Sequence, residues 1–145
     1  MGLSNLLSAK QIYLDSVSII SLIERPQHLH AIIDTLWNEF SAGSISFLTS
    51  ELAIAECLVV PLRQRNKNLI DRFEAFFNDS NINCHALSKL ILREAAQLRA
   101  DVPSVRLPDA IHLSTAKATG AMAFLTNDLR IHQPPNLPIY FLSQL

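Results

Sequence analysis

Residues Arg106–Ile131, RLPDAIHLSTAKATGAMAFLTNDLRI, decide how the rest of the chain is read. Pro108 suits the first position of a helix, and Ile111, Leu113, Ala116 and Ala118 supply apolar surface after it. Gly120 stops that helix, because glycine enters the left-handed backbone region without steric cost. Ala121–Thr126 (AMAFLT) is a short apolar run and reads as a buried strand. Asp109 opens the helix, and Asp128 stands just past the end of the strand. In open parallel α/β sheets, ligands bind outside the carboxyl ends of the strands, which is where this arrangement puts both acids.

Upstream, a short leader precedes Gln11–Val17 (QIYLDSV), the first strand, in which Ile12 and Leu14 point one way and Tyr13 the other. Asp15 lies at its carboxyl end, before a helical turn that Pro26 breaks. His28–Phe40 has near-helical apolar spacing and stops at Gly43, and Ile45–Leu48 is a second short strand. Thr49 or Ser50 caps the next helix, with Glu51 at its start, Glu56 deeper in, and Pro61 ending or bending it. Leu69–Phe77 forms an amphipathic helix. Ile82–Leu87 is a third strand, and Ser88 caps a helix running to about Ala100. The last strand is Ile139–Leu142, after the turn PPNLP. Strands alternate with helices throughout, which predicts a mostly parallel sheet of four to five strands covered on both faces, a three-layer α/β/α sandwich. Residues 1–145 are expected to form a single domain, with no internal repeat.

Composition narrows the function classes. Hydrophobic residues make up 49% of the chain and the formal net charge is −1, so the basic footprint of a strong non-specific nucleic-acid binder is missing. A polyanionic substrate would have to be held locally, by metal ions and a few basic side chains. Cys57 and Cys84 sit in apolar contexts and read as reduced thiols; without a signal peptide, this favours the cytoplasm. No stretch approaches the roughly 18 consecutive apolar residues of a membrane span.

Of the chain's 13 acids, four are out of place as surface charges. Asp15 follows an apolar strand, where capping a helix is the plain alternative. Glu56 stands in the apolar wall LAIAECLVV with no basic residue three or four positions away, and its carboxylate is costly to desolvate unless something neutralises it. Asp109 could simply stabilise a first helical turn, and Asp128 could simply make a turn. On a doubly wound sheet all four fall on one edge. Four carboxylates in one cleft repel by several kcal/mol at low effective dielectric unless a cation sits among them. An all-oxygen, highly charged set suits Mg²⁺ or Mn²⁺ rather than zinc, and the chemistry such ions support is phosphoryl transfer.

LDSVSII (14–20), LAIAECL (52–58), LPDAIHLSTA (107–116) and FLTND (124–128), in that order, resemble the motif series of the PIN (PilT N-terminus) domain, in particular the VapC-type toxins of bacterial toxin–antitoxin pairs. The resemblance covers essentially the whole chain. Its specific parts are LPDAIHL and LTND; the others are weak alone. It implies that Asp15, Glu56, Asp109 and Asp128 bind Mg²⁺ or Mn²⁺ and cleave RNA to 5′-phosphate and 3′-hydroxyl products. It also implies a small cytoplasmic homodimer whose cleft receives the tail of a cognate antitoxin.

The neighbours of these acids carry weaker expectations. Ser16 and Thr126 either support the carboxylates and metal waters or cap and end local elements. Asn127 either positions Asp128 or makes a turn. His112 lies one helical turn from Asp109 and is read chiefly as a core histidine hydrogen-bonded within its helix, with a catalytic base as the sharper reading. Arg106 and Arg130 either contact phosphate or are solvated charges. Arg63, Arg65 and Lys67 read as an exposed helix start rather than an RNA patch. A response-regulator receiver domain is disfavoured, because Asp15 stands alone at its strand and no lysine follows Leu137. A catalytically silent binding subunit and a housekeeping RNA-processing nuclease of the same fold remain as rivals.

Overall fold

Strand β1 (Gln11–Leu14) lies in the middle of a five-stranded sheet, flanked by β2 (Ser46–Ser50) and β3 (Ile82–His85) on one side. On its other side lie β4 (Ala123–Thr126) and β5 (Ile139–Phe141), giving the order β3-β2-β1-β4-β5 with every pair parallel. This computed structural model describes residues 2–145. The connecting helices are α1 (Gly2–Ala9), α2 (Ser16–Glu24), α3 (His30–Ser41), α4 (Leu52–Arg63), α5 (Lys67–Asn78), α6 (Lys89–Asp101) and α7 (Leu107–Ala118). Together they make the three-layer α/β fold that the alternation of elements predicts.

The register explains why the strands are apolar almost throughout. Ile12 pairs with Phe47, Leu14 with Leu125, and Tyr13 with both Leu48 and Phe124. Successive side chains alternate faces, so Ile12, Leu14, Phe47 and Leu125 enter one core beneath α1 to α5. Tyr13, Leu48 and Phe124 enter the other, against Leu113 and Ala116 of α7. A strand buried on both faces must be hydrophobic on both, and parallel sheets are of this kind. Aromatic rings set the larger core: Phe47 stacks on Phe40 at 4.8 Å and meets the edge of Trp37 at 5.9 Å.

The strand order reverses at β1. The chain moves outward from β1 to β2 and β3, then crosses back to lay β4 on the opposite flank. The carboxyl ends of β1 and β4 therefore border the topological switch point, where open α/β sheets hold ligands.

Several boundaries differ from the sequence reading, each for a local reason. β1 stops at Leu14 instead of Val17, because Asp15 caps α2 with its Oδ1 accepting from the Ser18 N–H at 2.9 Å. The leader is a helix, α1, which buries Leu6. Pro61 does not end α4: it lies inside the helix, which runs on to Arg63 although Pro61 has no N–H to offer the preceding turn. Thr49 does not cap α4. Its hydroxyl donates to the Leu14 carbonyl at 2.8 Å, while Ser50 Oγ accepts from the Leu52 N–H at 3.1 Å. Arg63, Arg65 and Lys67 are exposed but span the joint between α4 and α5 rather than a helix start. Ser88 caps α6 as expected, accepting from the Ile91 N–H. Both cysteines are free thiols. Among the described residues no helix is long and apolar enough to cross a membrane.

Candidate carboxylate site at the switch point

Asp15 follows β1 directly and is only 3% exposed. Burial pushes its carboxyl above the ordinary value; hydrogen bonds from Thr126 and Ser18 partly oppose this. Thr126, the last residue of β4, donates from Oγ1 to Asp15 Oδ2 at 2.5 Å. The same oxygen accepts from the Asp128 N–H at 3.0 Å. One hydroxyl thus joins the end of β1 to the turn after β4, a larger part than the sequence assigned to Thr126.

Asp109 sits in the first turn of α7, and Arg106 immediately precedes that helix. Arg106 donates from Nε to Asp109 Oδ2 at 3.1 Å and from Nη2 to Asp128 Oδ2 at 3.4 Å. Asp128 also receives Arg130, through Nε to Oδ1 at 3.0 Å and Nη2 to Oδ2 at 3.3 Å. The Arg130 hydrogen bonds, ahead of the attraction of Arg106, hold the Asp128 carboxyl below the ordinary range. A depressed carboxyl stabilises the fold above the ordinary carboxylate range, and that contribution is lost as pH falls through the depressed value. In an Arg130→Ala variant, the Asp128 carboxyl is expected to titrate closer to its ordinary value. Carbon NMR of the side chain would read this; an unmoved titration would refute the assigned cause.

Glu56, on α4, meets a hydrogen-bond partner that its own helix does not supply. His112 Nε2 lies 2.6 Å from Glu56 Oε1, and His112 Nδ1 lies 2.7 Å from the Tyr13 hydroxyl. The expectation of a histidine hydrogen-bonded within its own helix is therefore corrected: both ring nitrogens reach other elements. Burial, partly opposed by a hydrogen bond from Thr115 and reinforced by the charges of Asp15 and Glu56, pushes the Tyr13 phenol well above its ordinary value and keeps it neutral. The sequence reading sets Tyr13 on the face opposite Ile12 and Leu14 and gives it no role. The available signal was that a buried tyrosine hydroxyl needs a partner.

Ser16 and Asn127, each read as a support or as a local cap or turn residue, make no hydrogen bond to the four acids among the described residues. Asn127 Oδ1 accepts from the Ser143 N–H at 3.1 Å and so ties down the C-terminal segment rather than Asp128. The Ser16 hydroxyl has no hydrogen bond among the described residues; its backbone carbonyl accepts from Cys57 Sγ at 3.8 Å.

All four acids lie along the carboxyl edge of the sheet, but they are joined through intermediaries. Thr126 links Asp15 to Asp128, Arg106 links Asp128 to Asp109, and His112 holds Glu56. Among the described residues, no three histidine, cysteine or acidic side chains stand close enough to hold a metal ion as they lie. Guanidinium groups instead supply the positive charge. The donor chemistry nevertheless fits a hard divalent ion: four carboxylates and a hydroxyl, with no thiolate among them. The Arg106 and Arg130 side chains are 59% and 79% exposed, so they leave at little cost.

A doubly wound parallel sheet with acids at its switch point defines an α/β protein with a candidate ion-binding or phosphate-handling edge. The PIN domain family matches residues 12–137, and the chain belongs to that family. Several solved structures share its fold at low identity. VapC20 of Mycobacterium tuberculosis, a toxin described as cleaving the sarcin–ricin loop, superposes with a TM-score of 0.63. It is 15% identical over 78% of this chain and 86% of that one. VapBC2 of Rickettsia felis, bound to a DNA fragment from its promoter, gives 0.67 at 16% identity over 90% and 98%. A toxin–antitoxin complex from Klebsiella pneumoniae gives 0.65 at 18% identity over 90% and 97%. No curated protein is significantly similar in sequence.

Proposed function

We propose that this PIN-domain protein is an Mg²⁺- or Mn²⁺-dependent endoribonuclease and the toxin of a type II toxin–antitoxin pair. The observation that carries the reading is the edge-on grouping of Asp15, Asp109 and Asp128 around Thr126 and Arg106 at the switch point. Asp15, Glu56, Asp109 and Asp128 would hold the ions, all through hard oxygen donors. The chemistry such ions would supply there is a lowered pKa for bound water and stabilisation of the charge developing on the phosphodiester.

The chain's own residues do the positioning. Ser18 and Thr126 fix the two oxygens of Asp15, so this buried carboxylate meets a cation without reorganising. Arg106 and Arg130 move from Asp109 and Asp128 to the RNA backbone, since guanidinium pairs with phosphate as well as with carboxylate. The toxin assignment draws on the toxin–antitoxin complexes among the structural relatives, and with it come an antitoxin partner, a homodimer and a cytoplasmic setting.

The test is RNA cleavage by the purified protein with Mg²⁺, with EDTA, and with an Asp109→Asn variant beside it. Cutting should need the metal and vanish in the variant; cutting that survives either change rejects the proposal. A second reading, a binding subunit without catalysis, is favoured by the guanidinium groups lying on Asp109 and Asp128. It would leave RNA intact at every Mg²⁺ concentration.

A further inference from the structure

Glu56 as a carboxylate offers only acceptors, so the proton in its 2.6 Å contact with His112 belongs to Nε2. A neutral imidazole protonated on Nε2 leaves Nδ1 as an acceptor. The Tyr13 hydroxyl, 2.7 Å from Nδ1, can donate to it in that tautomer. The ring protonated on Nε2 thus satisfies both contacts at once. Neither link has room to wander: His112 is 1% exposed and Tyr13 is fully buried. The Tyr13 ring is stacked on Phe124 at 5.2 Å. Glu56 Oε2, by contrast, has no hydrogen-bond partner among the described residues and is open to solvent.

We propose that Tyr13 and His112 are positioning residues, a two-link relay that locks the Glu56 carboxylate with Oε1 engaged and Oε2 presented to a divalent cation. The cation in this statement rests on the nuclease reading above. The relay takes up both ring nitrogens of His112, so neither is left to face a substrate. Its work is orientation, as outer hydrogen-bond partners of ligating carboxylates do in other metal sites.

Tyr13→Phe tests this cleanly, because it keeps the stack on Phe124 and removes only the hydroxyl. Two readouts are used: nitrogen NMR of the His112 ring, and Mn²⁺ binding by calorimetry. In the parent protein Nε2 should carry the proton that faces Glu56. In Tyr13→Phe the tautomers should mix, and Mn²⁺ affinity should fall by about 10-fold or more, in the range seen when outer partners are lost. His112→Gln, whose amide still donates to Glu56, should retain more affinity than His112→Ala. A parent ring protonated on Nδ1 alone overturns the relay, as does unchanged Mn²⁺ affinity in Tyr13→Phe. If the parent protein takes up no Mn²⁺ and cuts no RNA, the nuclease reading and the Oε2 part fail. The ring-nitrogen shifts still decide the lock on Glu56.

Discussion

Asp15→Asn is expected to abolish RNA cleavage while leaving the metal-free protein at least as stable as its parent. Asparagine is as good a helix cap as aspartate, so its side-chain oxygen still receives the Ser18 N–H. What disappears is a buried negative charge. The folded-state carboxyl is raised above its ordinary value of 3.8, so folding disfavours the ionised form. Stability is then undiminished below that ordinary value, falls as pH rises towards the raised one, and stays diminished at neutrality. The amide escapes that loss. Without metal, the variant's Tm at pH 7 should equal or exceed the parent's, and the gap should close towards pH 4. With saturating Mg²⁺ the order reverses, because only the parent gains stability from a ligand bound to the folded state. Activity should drop about 10³-fold or more, beyond the roughly 10–100-fold typical of losing an outer hydrogen-bond partner. Near-parent cleavage, or a Tm well below the parent without metal, would remove Asp15 from the proposed site.

Phe47→Ala should do the opposite, unfolding the protein while leaving the chemistry of each folded molecule alone. Phe47 is fully buried, with Phe40 against its face and Trp37 against its edge. It lies towards the start of β2, at the far end of the sheet from the acids. Truncating such a ring costs about 3–5 kcal/mol, the transfer loss plus the cavity that rigid neighbours cannot fill. Set against a typical total of about 5–15 kcal/mol, that is a large fraction. Urea unfolding should show a much lower midpoint with little change in slope. An effect under about 1 kcal/mol would mean that the aromatic cluster closes over the gap.

The fold was legible because its determinants are local. Apolar runs such as AFLT and the glycines at 43 and 120, both with positive φ, set periods and stops that need no knowledge of partners. Helix α1 was missed because Gly2–Ala9 carries no charge and no capping signal, only its leucines. Asp15 shows that two readings weighed as rivals describe one residue: the side chain caps a helix and is buried at the switch point. The connections among the candidate site residues were not legible. Tyr13 and His112 are 99 residues apart and Glu56 and His112 are 56 apart, and no window of sequence contains either pair. The arginines were ambiguous because a guanidinium beside an acid looks the same in sequence whether it binds that acid or a phosphate.

The hydrogen bond from Thr126 to Asp15 spans 111 residues. During synthesis, β1 leaves the ribosome early but waits for β4, and parallel pairing over such a separation is intrinsically slow. Until the segment carrying β4 is made, Asp15 lacks the Thr126 hydroxyl that fixes its second oxygen. The acid edge therefore assembles only once β4 has docked against β1 and Thr126 has reached Asp15.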